Sequence, residues 1–453
     1  MPNTVLTYWK LHKVPILLSV LCGLFYYTFA YHLERPDFTR MVCLYATLFF
    51  LCYKLIQFEK WNFKLLLSLG MLFRLIFLLA IPNLSQDFYR FIWDGHLVIL
   101  GENPYMYLPN EILEKSEIII PQAQLLVEKM EPLSASNYSN YPPFSQFLFG
   151  LSVWLGGQNI VGGLISMRVL LLGADLGIFY FGRKVLKHLN KSPHMIFWYF
   201  LNPLVIIEIS GNLHFEGVML FFLLLAVYLV ILNKWIIAAI PLALSISIKL
   251  IPLMFLPLFF KTLGLKKGMV FNTLVVLGIL VTLVPFYDAL FASHYFKSLS
   301  LWFSNFEFNA SIYNIVKSLA SSLEIKPWEL IKVYGKIIPF MVIALVGVLT
   351  IFQKNQHPRT LITSMLIILT VYFFLSSTVH PWYLISLVLL CIFSEFRYPL
   401  VWSATVILSY SAYSNPEFKE SMWLLVIEYL LVIGFLAYEL FKRKGFKSLI
   451  PKN

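Results

Sequence analysis

The residues best placed to do chemistry lie in one stretch, Gln86-Asp87-Phe88-Tyr89-Arg90-Phe91-Ile92-Trp93-Asp94-Gly95-His96, followed by Gly101-Glu102-Asn103-Pro104-Tyr105. Read as a helix, it puts Asp87, Arg90 and Asp94 at i, i+3 and i+7 on one face, and Gly95, Gly101 and Pro104 end it in a turn. Seven helical positions separate the two carboxylates by about 10 Å along the axis, too far for both to touch one reacting atom. One is therefore the candidate base and the other positions or pairs; Asp87 is taken as the base. Arg90, Lys249, His214 and His380 suit an oxyanion, Arg through a planar fork and Lys as a point charge. A carboxylate base with such groups fits transfer from a departing phosphate to a hydroxyl that gives up its proton.

The other candidates sit at the edges of apolar runs. His214 and Glu216 belong to Gly211-Asn212-Leu213-His214-Phe215-Glu216, Lys249 to Lys249-Leu250-Ile251-Pro252, and His380 and Tyr383 to His380-Pro381-Trp382-Tyr383. A fourth boundary segment is Phe308-Asn309-Ala310-Ser311-Ile312-Tyr313. An ionisable group at membrane depth is costly, which makes each a functional candidate by default. Plainer readings stand beside these. Arg90 pairs with a neighbouring carboxylate, Lys249 snorkels to the interface, the histidines are satisfied hydrogen bonders, and Trp382 and Tyr383 belong to an aromatic belt. Arg168 and Asp175, seven apart in one span, are read as structural, buried and paired with neighbouring helices.

What must position these residues is a membrane. Of 453 residues 59% are hydrophobic and 13% charged, against about 25% charged in soluble domains. About fourteen apolar runs extend from residues 14–31 to 421–441, so the expected fold is an all-α polytopic protein with 13–14 transmembrane helices forming a single domain over residues 1–453. Pro241, Pro252 and Pro257 predict broken helices over 235–261. The net charge of +12 is carried in short clusters between runs, which argues for topology signals and against nucleic acid. Cys22, Cys43, Cys52 and Cys391 all fall in apolar segments, which excludes a disulfide framework and a CxxC metal site. The first run follows Lys10 and Lys13 and lacks a small-residue cleavage site, so it reads as a retained span.

With the N-terminus in the cytoplasm, the basic connectors 54–64, 183–191, 261–267 and 354–359 and the tail all fall on that side. The same choice sends residues 83–142 and 288–332, and all four boundary segments, to the outer face. Residues 143–160 must then lie at the outer interface without crossing, giving a first outer loop over 83–160 with interfacial helices.

At this point the chain resembles a known group. The segments DFYRFIWDGHLVILGENPY, YPPFSQ, RVLLLGAD, NPLVIIEISGNLHFEG, SIKLIPLMFLPL, EFNASIY and VHPWYL are similar, in family order from residue 86 to about 385, to GT-C glycosyltransferases of the bacterial polyprenyl-phosphate-dependent mannosyltransferase type, and more distantly to the first GPI mannosyltransferase. The resemblance implies the GT-C fold, a polyprenyl-phosphate sugar donor, usually of mannose, a glycan or glycolipid acceptor and transfer with inversion. It makes Asp87 the base with Asp94 second, and it leaves Arg90, Asp94, His214, Glu216, Lys249, His380 and Tyr383 as substrate-binding residues. Where members often read His-Asn-Asp or His-Asn-Glu, this chain reads His214-Phe215-Glu216, without the central amide. No cofactor is expected; a divalent cation is compatible but not indicated. Short polar loops without added domains point to a bacterial inner membrane, with cytoplasmic termini and a periplasmic site.

Two other classes fit a polytopic chain. A secondary transporter or flippase for a lipid-linked saccharide places its charges near the midplane within related repeats, whereas here they gather on one face and no repeat is found. A polysaccharide polymerase or ligase is expected to carry Arg and His prominently in a later outer loop, whereas 288–332 is dominated by aromatic and amide residues.

Overall fold

The computed structural model describes the backbone of residues 2–114 and 118–448, and side chains over 13–114, 118–301 and 305–442. Lys10 and the basic tail beyond Lys442 lie outside the described side chains. Among the described residues there is no β-strand, only a single bridge between Phe308 and Thr378.

Three helices open the chain, α1 (Pro2–His32), α2 (Phe38–Phe58) and α3 (Phe63–Ile76). The first long polar connection folds into α4 (Asp87–Ile99), α5 (Pro109–Glu114), α6 (Ala123–Lys129), α7 (Glu131–Ala135) and α8 (Pro143–Leu155). After α9 (Ile160–His188) comes a bent pair containing α10 (Phe197–Phe200) and α11 (Pro203–Val205), then α12 (Glu216–Ile231), α13 (Trp235–Ile248), α14 (Leu258–Leu263) and α15 (Leu265–Leu283). The second polar connection forms α16 (Phe291–Ser304) and α17 (Ile312–Ser322). The chain closes with α18 (Pro327–Phe352), α19 (Pro358–Leu375), α20 (Leu384–Phe393), α21 (Tyr398–Thr405) and α22 (Met422–Ser448).

Helix starts follow local rules. Asp37, Asn62 and Asn159 accept a backbone N–H with their side chains at the N-termini of α2, α3 and α9, at 3.2, 3.2 and 2.8 Å. Prolines occupy the first turns of α8, α18 and α19, where no N–H is needed.

Among the described residues seven helices are long and apolar enough to cross a membrane, and the pair Pro193–Phe200 and Pro203–Gly211, bent by 54°, makes an eighth if it is one span. The all-α polytopic fold expected from the sequence stands, and this count by length and apolarity is smaller than the number of apolar runs. The other apolar runs are shorter helices, such as Glu216–Ile231, Trp235–Ile248 and Pro381–Phe393, or broken ones such as Ile251–Phe255 with Leu258–Leu263. The reason lies in their neighbours: α20 is buried along its whole length and α12 along most of it, so protein rather than lipid satisfies the breaks.

Connectors expected on opposite faces meet at opposite ends. At one end Arg359 donates to the Leu189 carbonyl at 2.8 Å, Lys191 and Arg359 both face Glu395, and Thr262 donates to the Asn355 carbonyl. At the other, the two long connections pack together: Asn103 donates to the Phe286 carbonyl at 2.9 Å, and the Tyr138 and His294 rings stack at 3.8 Å. Helix α8, expected at the interface, has 13 residues and packs against α4. A Cβ on Gly95 would stand 2.6 Å from the Phe149 carbonyl oxygen, so glycine permits this crossing.

The bend at 201–211 is held by buried charge. Arg74 pairs with Asp175 at 2.7 Å and donates to the Phe200 carbonyl at the bend. Arg168 donates to the carbonyls of Ser210, Gly211 and Leu78 at 2.8 to 3.1 Å. Residues Ile206–Gly211 form a π-helical turn, which frees carbonyls that an α-helix would bond, and Arg168 takes two of them. Arg168 and Asp175 are thus paired with neighbouring segments and not with each other.

Candidate active site

Asp87 is the first residue of α4. Its backbone N–H donates to Ser85 Oγ at 3.3 Å, while among the described residues no hydrogen bond or ion pair engages its half-buried carboxylate. Tyr141, Tyr383 and Tyr413 all lie close enough to feel its charge. At Tyr141, in the loop, burial pushes the hydroxyl well above its usual value and Asp87 adds to this.

Arg90 and Asp94 are turned away from this carboxylate. Arg90 Nε donates to Asp94 Oδ1 at 2.7 Å, and its Nη1 donates to the carbonyls of Ser134 and Asn137. Asp94 Oδ2 accepts from Ser139 Oγ at 2.5 Å and Gln146 Nε2 at 3.0 Å. Both carboxylate oxygens are taken and the residue is fully buried. The pair clamps residues 134–146 onto α4, the positioning alternative raised above.

The other five candidates converge near Asp87. Lys249 forms an ion pair with Glu216, which is fully buried, and its Nζ stands 5.8 Å over the Tyr383 ring. His214 stacks on Trp382 at 3.9 Å, Trp382 on His380 at 4.3 Å, and His380 on Phe308 at 5.1 Å. Glu208, in the π-turn, approaches His214 at 3.4 Å while accepting from Asn212 and from the Tyr410 hydroxyl, both at 3.0 Å. His380 lies in the connector before the Pro381–Tyr383 turn. Burial pushes its pKa down to about 3, with His214, Lys249 and Arg35 acting in the same direction, so it is a neutral ring.

The loop carrying Phe308 is fixed from two sides. Phe308 exchanges backbone hydrogen bonds with Ser377 and Val379 at 3.0 and 2.8 Å. Asn309 is gripped from the last helix and the segment before it: Glu420 accepts its N–H, Glu428 accepts from its side chain at 3.1 Å, and the Tyr429 hydroxyl donates to its carbonyl.

Three residues here were missed by the sequence reading: Arg35, Glu208 and Tyr413. Arg35 lies over the Tyr413 ring at 3.5 Å and beside Gln86, the residue before Asp87. One signal was available for it, since a basic residue in an outer connector runs against the positive-inside bias.

The arrangement is a free carboxylate whose charge reaches three tyrosines, of which Tyr413 lies under Arg35 and Tyr383 under Lys249, with a stack of rings running from His214 to Phe308. It can take a proton from a hydroxyl and offers cations to an anionic leaving group. Among the described residues no three His, Cys, Asp or Glu side chains group as ligands for a metal ion.

Residues 20–263 match a family described as alpha-(1->6)-mannopyranosyltransferase, N-terminal domain, which is more than half of the chain. Alpha-(1->6)-mannopyranosyltransferase A of Mycobacterium tuberculosis is 22% identical over 173 residues, 38% of this chain and 32% of that protein. The chain therefore aligns with about a third of that relative's length.

Proposed function

Because the chain belongs to the alpha-(1->6)-mannopyranosyltransferase family, we propose that it is a membrane-embedded mannosyltransferase that moves mannose from a polyprenyl-phosphate donor to a hydroxyl of a glycan or glycolipid. The observation that carries this reading is the Asp87 carboxylate, which no described residue bonds and whose charge reaches Tyr141, Tyr383 and Tyr413, while the nearby Asp94 is fully occupied. A buried or half-buried carboxylate is normally paired, so one left free is suited to a proton in transit.

The step is a direct displacement. The acceptor oxygen attacks the sugar C1, its proton passes to Asp87, and the bond from C1 to the phosphate oxygen breaks with its electron pair staying on the phosphate. One attack at C1 inverts its configuration; with an alpha product, as in the family's name, the donor is beta-linked. His214 and His380 act here as ring walls, and Tyr383 bridges Asp87 and Lys249. The reading places the site on the periplasmic face of a bacterial inner membrane, with both termini cytoplasmic, and requires no cofactor.

The test is transfer of radiolabelled mannose from synthetic polyprenyl-phosphate mannose by detergent-purified protein, beside Asp87→Asn, with and without a chelator. Label in a product with wild type alone, whether or not chelator is present, is expected. Silence of the wild type across mannose, glucose and arabinose donors sinks the reading and favours transport of a lipid-linked saccharide.

A further inference from the structure

We propose that Arg35 is the anion site that receives the phosphate of the isoprenyl donor, an inference that rests on the transferase reading above. Three features of its surroundings carry it.

The first is how loosely Arg35 is held. Its Nη1 meets Gln86 Oε1 only at 3.5 Å and Glu131 Oε1 at 3.7 Å, Tyr413 adds a hydroxyl contact, and its buried Nε makes no hydrogen bond. Arg74 and Arg90 each hold a carboxylate at 2.7 Å, and Arg168 holds carbonyls at 2.8 to 3.1 Å. Arg74 and Arg90 also keep one unpartnered Nη2, but their side chains are 1% and 4% exposed against 20% for Arg35. Charge-assisted bonds settle at about 2.7–2.9 Å, so Arg35 has donors the protein leaves unused.

The second is that its orientation is set largely by a ring. The guanidinium lies over the Tyr413 ring at 3.5 Å, which fixes its plane, while the long contacts of Nη1 with Gln86 and Glu131 can give way to an incoming oxyanion. Lys249, by contrast, is already bound to Glu216.

The third is position. Gln86 joins Arg35 to Asp87 in sequence and space, and the Arg35 charge reaches His380. A phosphate at Arg35 thus sits beside the base but on its own cation. Glu131 is the natural occupant to be displaced: its side chain is 53% exposed and its backbone has a left-handed φ of 66°. The weak Arg35–Glu131 contact holds the site until the donor arrives.

The experiment measures calorimetric binding of farnesyl phosphate to the full-length protein in detergent, with inorganic phosphate and phosphatidylglycerol as competitors. Arg35→Gln is expected to weaken binding about 10- to 100-fold, the worth of charged hydrogen bonds, with Arg35→Lys recovering part of it. Glu131→Gln is expected to tighten binding up to about fivefold by removing a competing exposed carboxylate. In turnover, Arg35→Gln raises the donor KM more than it lowers kcat. Inorganic phosphate competes with farnesyl phosphate in wild type. Phosphatidylglycerol competing as well as farnesyl phosphate overturns the donor assignment. Unchanged binding in Arg35→Gln, with wild-type transfer intact, overturns the site and leaves the transferase standing. Wild type that transfers nothing but loses farnesyl phosphate on Arg35→Gln keeps the anion site while the sugar assignment falls. Should Arg35→Gln misfold, Arg35→Lys serves in its place, and a farnesyl phosphate affinity in it equal to wild type, insensitive to inorganic phosphate, overturns the proposal.

Discussion

Arg90 and Asp94 stand one helical turn apart on α4 with Nε and Oδ1 at 2.7 Å, and both are buried beneath residues 134–146. Breaking a buried pair from one side leaves an uncompensated charge, at a cost of about 3–5 kcal/mol. Asp94→Ala should therefore lower the melting temperature and open residues 134–146 to protease, while KM per folded molecule stays near wild type. A large KM change in well-folded protein would instead make Asp94 a substrate contact.

Asp87→Asn keeps the size of the side chain and removes the base. General-base catalysis contributes about 100- to 10,000-fold, so kcat should fall within that range while affinity for farnesyl phosphate changes little. Unfolding of the variant would be the surprise, because no described residue depends on the carboxylate for a bond.

His380 makes stability depend on acid. Its folded pKa of about 3 lies below the ordinary value of 6.5, so between these limits the unfolded chain binds a proton that the folded chain refuses. The contribution is fully present above pH 6.5 and is lost as pH falls towards 3. His96, on α4, is pushed down to about 4 by burial and acts with the same sign. Melting temperatures between pH 7 and pH 5 should drop in wild type and drop less in His380→Gln. Equal slopes would show that the ring titrates freely.

Gly95→Ala places a methyl against backbone, 2.6 Å from the Phe149 carbonyl oxygen, and α8 cannot swing aside as a side chain would. Overpacking of this kind costs about 1–3 kcal/mol. The variant should show lower detergent-extracted yield and melting temperature, whereas Gly173→Ala, where nothing lies within 4 Å, should not.

The convergence of His214, Glu216, Lys249, His380 and Tyr383 was legible in the sequence because ionisable groups at the edges of apolar runs are expensive to keep there. The pairing of Arg90 with a neighbouring carboxylate was also legible, but the cover that Ser139 and Gln146 place over Asp94 was not. Helical spacing tells which side a residue faces but not that residues 134–146 will come down on that side. Arg35 stands alone in a short polar connector, and nothing in its spacing ties it to Gln86 or Tyr413. The broken spans at 201–211 and 249–258 were only partly visible, since an apolar run looks the same whether lipid or protein surrounds it, and only the prolines hint at the difference.

The grip of the last helix on Asn309 bears on how such a protein can be inherited. The family match stops at residue 263, yet Phe308, His380, Trp382, Tyr383 and Tyr413 all come from beyond it, and Glu428 and Tyr429 hold Phe308's loop in place. A gene cut at that border would yield a front half with its carboxylate but without its wall. Drift in the rear half is therefore bounded by the same chemistry that bounds the front, and the two must change together.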